Sequence, residues 1–535
     1  MGHDPRPPGA RAPGLGRRPL GAGALATPAA VGEAGNLSLG TATGRWVLAA
    51  TVLGSGIAFL DSTVVNVALP HIGEDLGTGV GGLQWVLNGY LLAVSSLILL
   101  GGSLGDRFGR KRIFQLGVIV FAGASLLCAV APTAPALIVA RVLQGVGGAL
   151  LTPGSLAILE ASFRPDERSR AIGAWSGLSG VASAIGPFLG GWLVDAASWR
   201  WIFLINLPLA AFVVVVAARH VPESFDPHAA HHVDLLGALF VAIGLGGLSW
   251  GLIGAGDRGW SSPSVWGALL VGAAGIVAFV VNERRSRAPM VPPSIFASAQ
   301  FRAANLVTAA VYAGLGGIFF LLVVQLQTVL GYSAIEAGAA TLPITLMMLG
   351  LSARSGALAA RIGPRLQMTV GPVLVAAGAL LLTRVDAGAG YVEAVLPAVL
   401  VIGLGLATAV APLTATAMGA AEDRYAGVAS GVNTTVARAA QLAAVAALPV
   451  AAGITGESYL DPAAFSSGFR TAMVITAGLA LVGAVIAFVG IRNPVRPPEA
   501  VPEPSPTGWF CGAEGPPLDT CPGSTAGTDV SERAA

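Results

Sequence analysis

The chain reads as an all-α membrane protein built from about fourteen spans. Three observations carry that reading. Hydrophobic residues make up 54% of the 535 and charged residues only 11%, whereas a soluble domain carries roughly 25% charged residues. Glycine is abundant, with 73 residues, as it is where transmembrane helices pack closely. The apolar residues also fall into runs of about 20, the length that crosses a hydrocarbon core of roughly 30 Å.

In chain order the spans are read at 46–67, 84–104, 113–131, 136–159, 171–194, 201–218, 235–254, 264–281, 304–325, 337–360, 367–383, 392–412, 426–450 and 469–491. Residues 1–44 are rich in Pro, Gly, Ala and Arg and lack the apolar start of a signal peptide. They read as a disordered basic tail, and 492–535 as a second. Loops on the tail side carry Arg107, Arg110, Lys111, Arg112, Arg164, Arg168, Arg170, Arg219, Arg284, Arg285, Arg287, Arg302, Arg361, Arg365 and Arg424. The alternate loops carry only Arg200, Arg258, Arg384 and Arg470. Basic loops stay inside, so both termini are expected in the cytoplasm. All basic residues but Lys111 are arginine, which with the Ala and Gly excess suggests a GC-rich bacterial genome and hence a bacterial inner membrane. Cys128 sits in an apolar run as a packing residue. Cys511 and Cys521 lie in the tail, and no metal or disulfide spacing is visible. His228, His231 and His232 share their loop with Glu223, Asp226 and Asp234 and read as a solvated linker.

The loop after span 2, Gly102-Ser-Leu104-Gly-Asp106-Arg107-Phe-Gly109-Arg110-Lys111-Arg112, recurs after span 10. There it reads Gly356-Ala-Leu358-Ala-Ala360-Arg361-Ile-Gly363-Pro-Arg365, with Ala360 where Asp106 stands. Repeated halves are a hallmark of transporters. Eight helices separate the two copies where a 6+6 design needs six. The surplus pair is read as spans 7 and 8, inserted over 221–302 between bundles at 45–220 and 303–491.

With these residues in view the chain resembles the major facilitator superfamily, and more narrowly its fourteen-helix drug/proton antiporter family (EmrB/QacA type). Leu60-Asp61-Ser62-Thr63-Val64-Val65-Asn66-Val67-Ala68-Leu69-Pro70 is similar to that family's helix 1 motif. Arg141-Val-Leu-Gln144-Gly145-Val-Gly147-Gly148-Ala149 is similar to the helix 4 motif. Gly173 with Gly186-Pro187-Phe-Leu-Gly190-Gly191 matches the helix 5 antiporter motif, with Ala182 where that motif has a further glycine. Trp199-Arg200-Trp201-Ile-Phe203-Leu-Ile-Asn206-Leu-Pro208 completes the series. The resemblance implies the major facilitator fold, two six-helix bundles plus two extra helices, acting as a monomer. The second half is poor in motifs.

Asp61 is the only carboxylate well inside an apolar span. A charge there costs roughly 2.5–3.5 kcal/mol on insertion scales. At 1.5 Å per residue it lies about 22 Å along span 1, and Arg141 about 8 Å along the oppositely directed span 4. Both therefore fall at similar depth in the outer third. The resemblance puts spans 1 and 4 on the central cavity. Two readings stand. In one, Asp61 exchanges a proton or binds a cationic substrate while Arg141 tunes its pKa, lowering it by charge against the raising effect of burial. In the other the two form a static ion pair that locks the helices. Arg438, about 18 Å into span 13 near Asn433 and Gln441, resembles an arginine often found there in this family. It either lines the cavity or pairs with backbone carbonyls. Arg354 is expected to snorkel.

Gly102, Asp106, Arg107, Gly109, Arg110 and Lys111 are expected to form a cytoplasmic gate. Glycines allow the tight turn and the charges an ion-pair cluster that holds in one state and breaks in another. Ala360 makes the second copy asymmetric. Gly186-Pro187 kinks span 5 and its small residues admit another helix, which the resemblance reads as a seal against leakage. Glu160, Asp195 and Glu336 stand at span ends, with no special role expected.

The function expected is proton-coupled export of hydrophobic drug-like or antibiotic compounds, conferring resistance. The partners are a small hydrophobic or cationic organic substrate, protons and the bilayer, with no nucleic acid. Proton entry yields roughly 2.3 kcal/mol per 100 mV plus about 1.36 kcal/mol per pH unit. No phosphate-binding loop of Gly-x-x-x-x-Gly-Lys-Ser/Thr type occurs, so ATP is not expected to drive transport, and no cofactor or metal is expected. A dedicated exporter of one endogenous metabolite fits the same sequence. A proton-coupled uptake symporter fits less well because of Gly186-Pro187. An enzyme or sensor would need a catalytic domain or a titratable cluster, and the tails supply neither.

Overall fold

The computed structural model describes residues 35, 37–226, 234–286, 289–421, 425–456 and 461–493. The three linker histidines, Cys511 and Cys521 lie outside the described residues. Among these residues fourteen helices are long and apolar enough to cross a membrane. They are α1 Ala42–Leu76, α2 Val80–Phe108, α3 Arg110–Ala129, α4 Ala134–Ser162, α5 Pro165–Ala196, α6 Trp201–His220 and α7 Leu235–Arg258. The others are α8 Pro263–Arg285, α9 Ala299–Thr328, α10 Ala334–Ile362, α11 Arg365–Leu382, α12 Tyr391–Gly419, α13 Gly427–Ala451 and α14 Pro462–Gly490.

Most helices overrun the apolar runs that announce them, and several begin just after a residue whose side chain caps the first turn. Thr41 caps α1, accepting from Gly44 N, and α1 runs on through Pro70 to Leu76. Ser333 and Glu336 close a capping box at the start of α10. Within the stretch read as a tail ending at 44, α1 already begins at Ala42 and the residues before it bond to the α4–α5 connection. Leu37 N donates to Ser162 O at 3.0 Å, and the Glu167 carboxylate accepts from Leu39 N at 2.7 Å.

Helices α1–α6 pack on one another, as do α9–α14. The α7–α8 hairpin lies outside both groups, and α7 rests on α2 and on α13. The end of the bundle where α1 starts is termed the near end, and the opposite end the far end. At the far end the apolar cores of the two groups are continuous, joining Val64, Val67 and Ile72 of α1 with Phe320, Val324 of α9 and Ala334, Ala337 of α10. At the near end α1–α6 keep a core of their own around Phe114, Phe121, Phe163 and Val213. The near-end part of α5 leaves Gly177, Leu178 and Gly180 exposed, and α10 leaves Leu346 and Leu349 exposed. The two groups thus meet at the far end and part at the near end between α5 and α10, while Leu99 of α2 still packs against the near-end cluster of Phe301, Ala429 and Val432.

Prolines inside helices free the carbonyl four residues earlier, and an apolar interior makes that carbonyl expensive unless a side chain answers it. Three are answered from neighbouring helices. Pro187 frees Ser183 O, which accepts from Thr63 Oγ1 of α1 at 3.2 Å. Pro412 frees Thr408 O, which accepts from Ser355 Oγ of α10 at 2.7 Å. Pro449 frees Val445 O, which accepts from Gln84 Nε2 of α2 at 2.6 Å. The last of these crosses between the two groups of helices.

Candidate functional site

The depth estimate for Asp61 and Arg141 corresponds to direct contact. Arg141 Nη1 lies 2.5 Å from Asp61 Oδ2, and the side chains are 1% and 0% exposed. Around this pair α2, α3, α4 and α6 supply further partners. Gln144, one turn along α4 from Arg141, donates Nε2 to Asp61 Oδ1 at 2.8 Å and accepts from Arg141 Nη1 at 2.6 Å. Asn206 Nδ2 of α6 reaches the same Asp61 oxygen at 3.3 Å. Ser125 Oγ of α3 accepts from both Gln144 and Asn206. Arg141 Nε donates to Val86 O at 3.1 Å, and its guanidinium lies over the Tyr90 ring at 4.6 Å and the Phe203 ring at 5.8 Å. Cys128, the packing cysteine, is buried against Gln144 Oε1 at 3.7 Å.

This is a charge pair with both carboxylate oxygens occupied. A buried pair survives only when hydrogen bonds satisfy its remaining lone pairs and protons, and here they do. In this conformation Asp61 is closed to solvent, so no cationic compound touches it. Gln144 and Asn206 stood in the quoted motifs without a role, and Ser125 had no sequence signal at all.

Arg438 stands apart from that pair. It is half-buried, its Nη1 lies 3.4 Å from Gln441 Oε1, and among the described residues no carboxylate is within ion-pair distance of it. Asn433, expected near it, instead donates to Thr308 Oγ1 at 2.8 Å and Asn305 Oδ1 at 3.2 Å. Arg354 is exposed at its guanidinium contact, Nη1 to Gly350 O at 3.2 Å.

At the near end the Gly102–Arg112 stretch, read as a loop, is the last turns of α2 and the first turn of α3 about a single turn residue, Gly109, and it closes onto the segment after α6. Arg110 Nε meets Asp106 Oδ1 at 2.9 Å, and Arg112 Nε meets Glu223 Oε2 at 3.6 Å. Lys111 Nζ donates to Ala218 O. Arg107 is exposed beside the Phe108 ring, and Gly102 lies 3.7 Å from Pro153 of α4 when given a Cβ. Lys111 N donates to Glu223 Oε1 at 3.0 Å, capping α3. The second copy repeats this with other letters. Arg365 N donates to Asn493 Oδ1 at 3.1 Å, capping α11 from the segment after α14. Gly109 has φ 109° and Gly363 φ 87°, and a Cβ on either would strike Glu223 or Asn493 respectively. The internal repeat therefore extends to the residues that cap it.

The helix 5 motif divides. A Cβ on Gly186 or Gly190 would strike Thr63 or Val64 of α1, and one on Gly191 would strike the backbone of Ala334 and Ile335 in α10. Pro187 O sits against Gly338 of α10. Gly173, grouped with them by sequence, has no neighbour within 4 Å and is exposed. Asp195, given no role by its position, caps α10 across the far end. Its oxygens accept from Ala334 N at 3.2 Å and Ile335 N at 2.9 Å, placing a carboxylate at the positive end of a helix.

Comparison with known proteins agrees with this architecture. The model of the Major Facilitator Superfamily matches residues 51–445. A puromycin resistance protein of Streptomyces alboniger is 36% identical over 84% of this chain and 91% of its own length. A tetracenomycin C resistance and export protein of Streptomyces glaucescens is 36% identical over 72% of each chain. The multidrug resistance protein Stp of Mycobacterium tuberculosis is 35% identical over 72% of this chain and 71% of its own. Among solved structures, a POT family transporter in complex with a thioalcohol-conjugated peptide superposes with a TM-score of 0.63 at 14% identity, covering 85% of this chain and 98% of that one. A bacterial homologue of the human lysosomal transporter Spinster, inward-facing and unoccupied, gives 0.59 at 17% identity, covering 84% and 97%. At such identities the likeness is one of fold. The fourteen apolar helices, the paired helical bundles and the match over most of the chain lead to one conclusion: this protein is a multi-pass membrane protein of the major facilitator superfamily.

Proposed function

We propose that the protein is a proton-coupled exporter of hydrophobic drug-like or antibiotic compounds, set in a bacterial inner membrane with both termini in the cytoplasm. The carrying observation is the enclosed Asp61–Arg141–Gln144–Asn206 network in the middle of α1–α6. A carboxylate held this deep carries a large insertion cost, and its partners come from two other helices of the same bundle, α4 and α6, so its charge state bears on how those helices hold together. A neutral Asp61 would release Arg141, and a charged Asp61 would recapture it. That gives the proton two conformations to choose between. Relatives named for puromycin resistance, tetracenomycin C export and multidrug resistance support export of antibiotics as the cargo.

In this reading the near end is cytoplasmic and the structure is the inward-facing state. Asp106, Arg107, Arg110 and Lys111, with Gly109 at the turn and Gly102 facing α4, form the cytoplasmic gate. Gly186, Pro187, Gly190 and Gly191 seal the outer end against α1 and α10. Residues 221–302 are an insertion that adds α7 and α8 to a 6+6 plan, and the protein works as a monomer. Export of one endogenous metabolite differs from this only in breadth of substrate.

Inverted vesicles test the reading. They are energised to an acid interior, loaded with a pH-sensitive dye and given puromycin, ethidium and an acidic naphthoquinone in turn. The expected result is substrate-triggered alkalinisation that Asp61→Asn abolishes. Alkalinisation that survives Asp61→Asn would remove Asp61 from the proton path. No response to any compound by folded protein would overturn export of such compounds.

A further inference from the structure

Charge does not balance in the middle layer of the bundle. Asp61 and Arg141 neutralise one another. The excess charge is Arg438, which is half-buried and contacts Gln441.

The opposing helix face adds a second anomaly. Gln84 of α2 bonds Val445 O of α13, and a Cβ on Gly431 of α13 would meet Leu99 of α2. These two contacts fix the antiparallel register of α2 against α13. By that register Asn88, one turn from Gln84 and on the same face, stands level with Gln441 and Arg438. Asn88 is 0% exposed, yet neither its Nδ2 nor its Oδ1 has a hydrogen-bond partner. A buried amide with both atoms idle is costly, and one level with a cation that has no carboxylate partner points to a missing anion. A guanidinium and an amide N–H are the donors that a carboxylate accepts from.

We propose that Arg438, with Asn88 and Gln441, binds the acidic group of the transported compound, a carboxylate or acidic phenol carried on an apolar body. The inference rests on the export reading for the identity of the occupant and narrows its substrates to organic anions. It replaces Asp61 as the group that selects substrate charge, because Asp61 already holds a cation of its own.

The test separates binding from transport. Purified protein in phosphatidylcholine nanodiscs is titrated with anthracene-9-carboxylate, anthracene-9-methanol and 9-(aminomethyl)anthracene, followed by probe fluorescence. The acid is expected to bind at least about tenfold more tightly than the amine. Arg438→Gln should cost the acid about tenfold to a hundredfold in affinity and leave the alcohol unchanged. Arg438→Lys should recover part of the loss, and Asn88→Leu should weaken the acid without touching the alcohol. Equal binding of acid and amine, or an acid preference that survives Arg438→Gln in folded protein, would overturn the proposal. So would loss of the acid to chloride alone, which would make this an inorganic-ion site. Acid binding without uptake into energised inverted vesicles would sustain the anion site while sinking the export reading.

Discussion

Gln84 and Val445 are joined by a 2.6 Å hydrogen bond between α2 and α13, made available because Pro449 lacks the N–H that would take the Val445 carbonyl. The stitch joins the two halves of the molecule and leaves a distinctive signature. Gln84→Leu should strand a buried acceptor at a cost of about 1–3 kcal/mol, read as a lowered unfolding temperature in detergent. Adding Pro449→Ala restores an N–H to α13, so the double variant should regain most of the loss. A double variant no better than Gln84→Leu alone would show the effect to be one of side-chain packing.

The Asp61–Arg141 pair offers a similar dissection. Asp61→Asn leaves a buried guanidinium without its counter-charge and should destabilise by about 3–5 kcal/mol. Asp61→Asn combined with Arg141→Gln removes both charges and should recover stability, measured by thermal unfolding, without recovering substrate-driven alkalinisation of vesicles. Recovery of both would reduce the pair to a structural tie.

Gly191 meets the backbone of α10 directly, and backbone cannot step aside. Gly191→Val should keep the far end from closing and abolish transport in vesicles while the protein still inserts. Gly173→Ala, on the same helix with open space around it, should change stability by less than about 0.5 kcal/mol and leave transport intact. Equal damage from both substitutions would contradict the division of the helix 5 motif.

Asp195 accepts two backbone N–H groups of α10 from across the far end. Asn in its place offers one acceptor and sets an N–H against the other donor. The loss of about 1–2 kcal/mol should shift the open–closed balance of the far end roughly 5–30-fold. Distances between spin labels at the far ends of α5 and α10 would lengthen in Asp195→Asn. An unchanged distribution would remove Asp195 from the closure.

Much of this was legible in the sequence because a bilayer imposes length and apolarity. All fourteen spans could be read from those two properties, and depth along two antiparallel helices sufficed to pair Asp61 with Arg141. Helix ends were harder to read. Span 1 was read to 67, whereas α1 continues to Leu76 past Pro70, since a proline's loss is local. Gln144, Asn206, Ser125 and Asn88 are neutral polar residues, and nothing in their spacing separates a network member from a helix-facing polar residue. Asp195 was overlooked because a carboxylate at a span end already has an ordinary explanation in water. Gly173 shares a motif with Gly186, yet the two differ in whether another helix lies opposite, which pattern alone does not specify.

The hairpin of α7 and α8 gives the molecule unlike flanks. With α7 resting on α2 and α13, and Trp85 of α2 set 5.7 Å from Trp250 of α7, that seam is roofed along the bundle. Among the described residues no extra helix covers the opposite seam, between α5 and α10, and Leu178 and Leu349 on those helices are exposed. A compound dissolved in the lipid leaflet therefore finds one wall shuttered and one ajar. On the export reading, compounds in the leaflet are expected to enter past α5 and α10, so bulky labels on the near-end turns of these helices should obstruct compounds arriving from lipid more than those arriving from water.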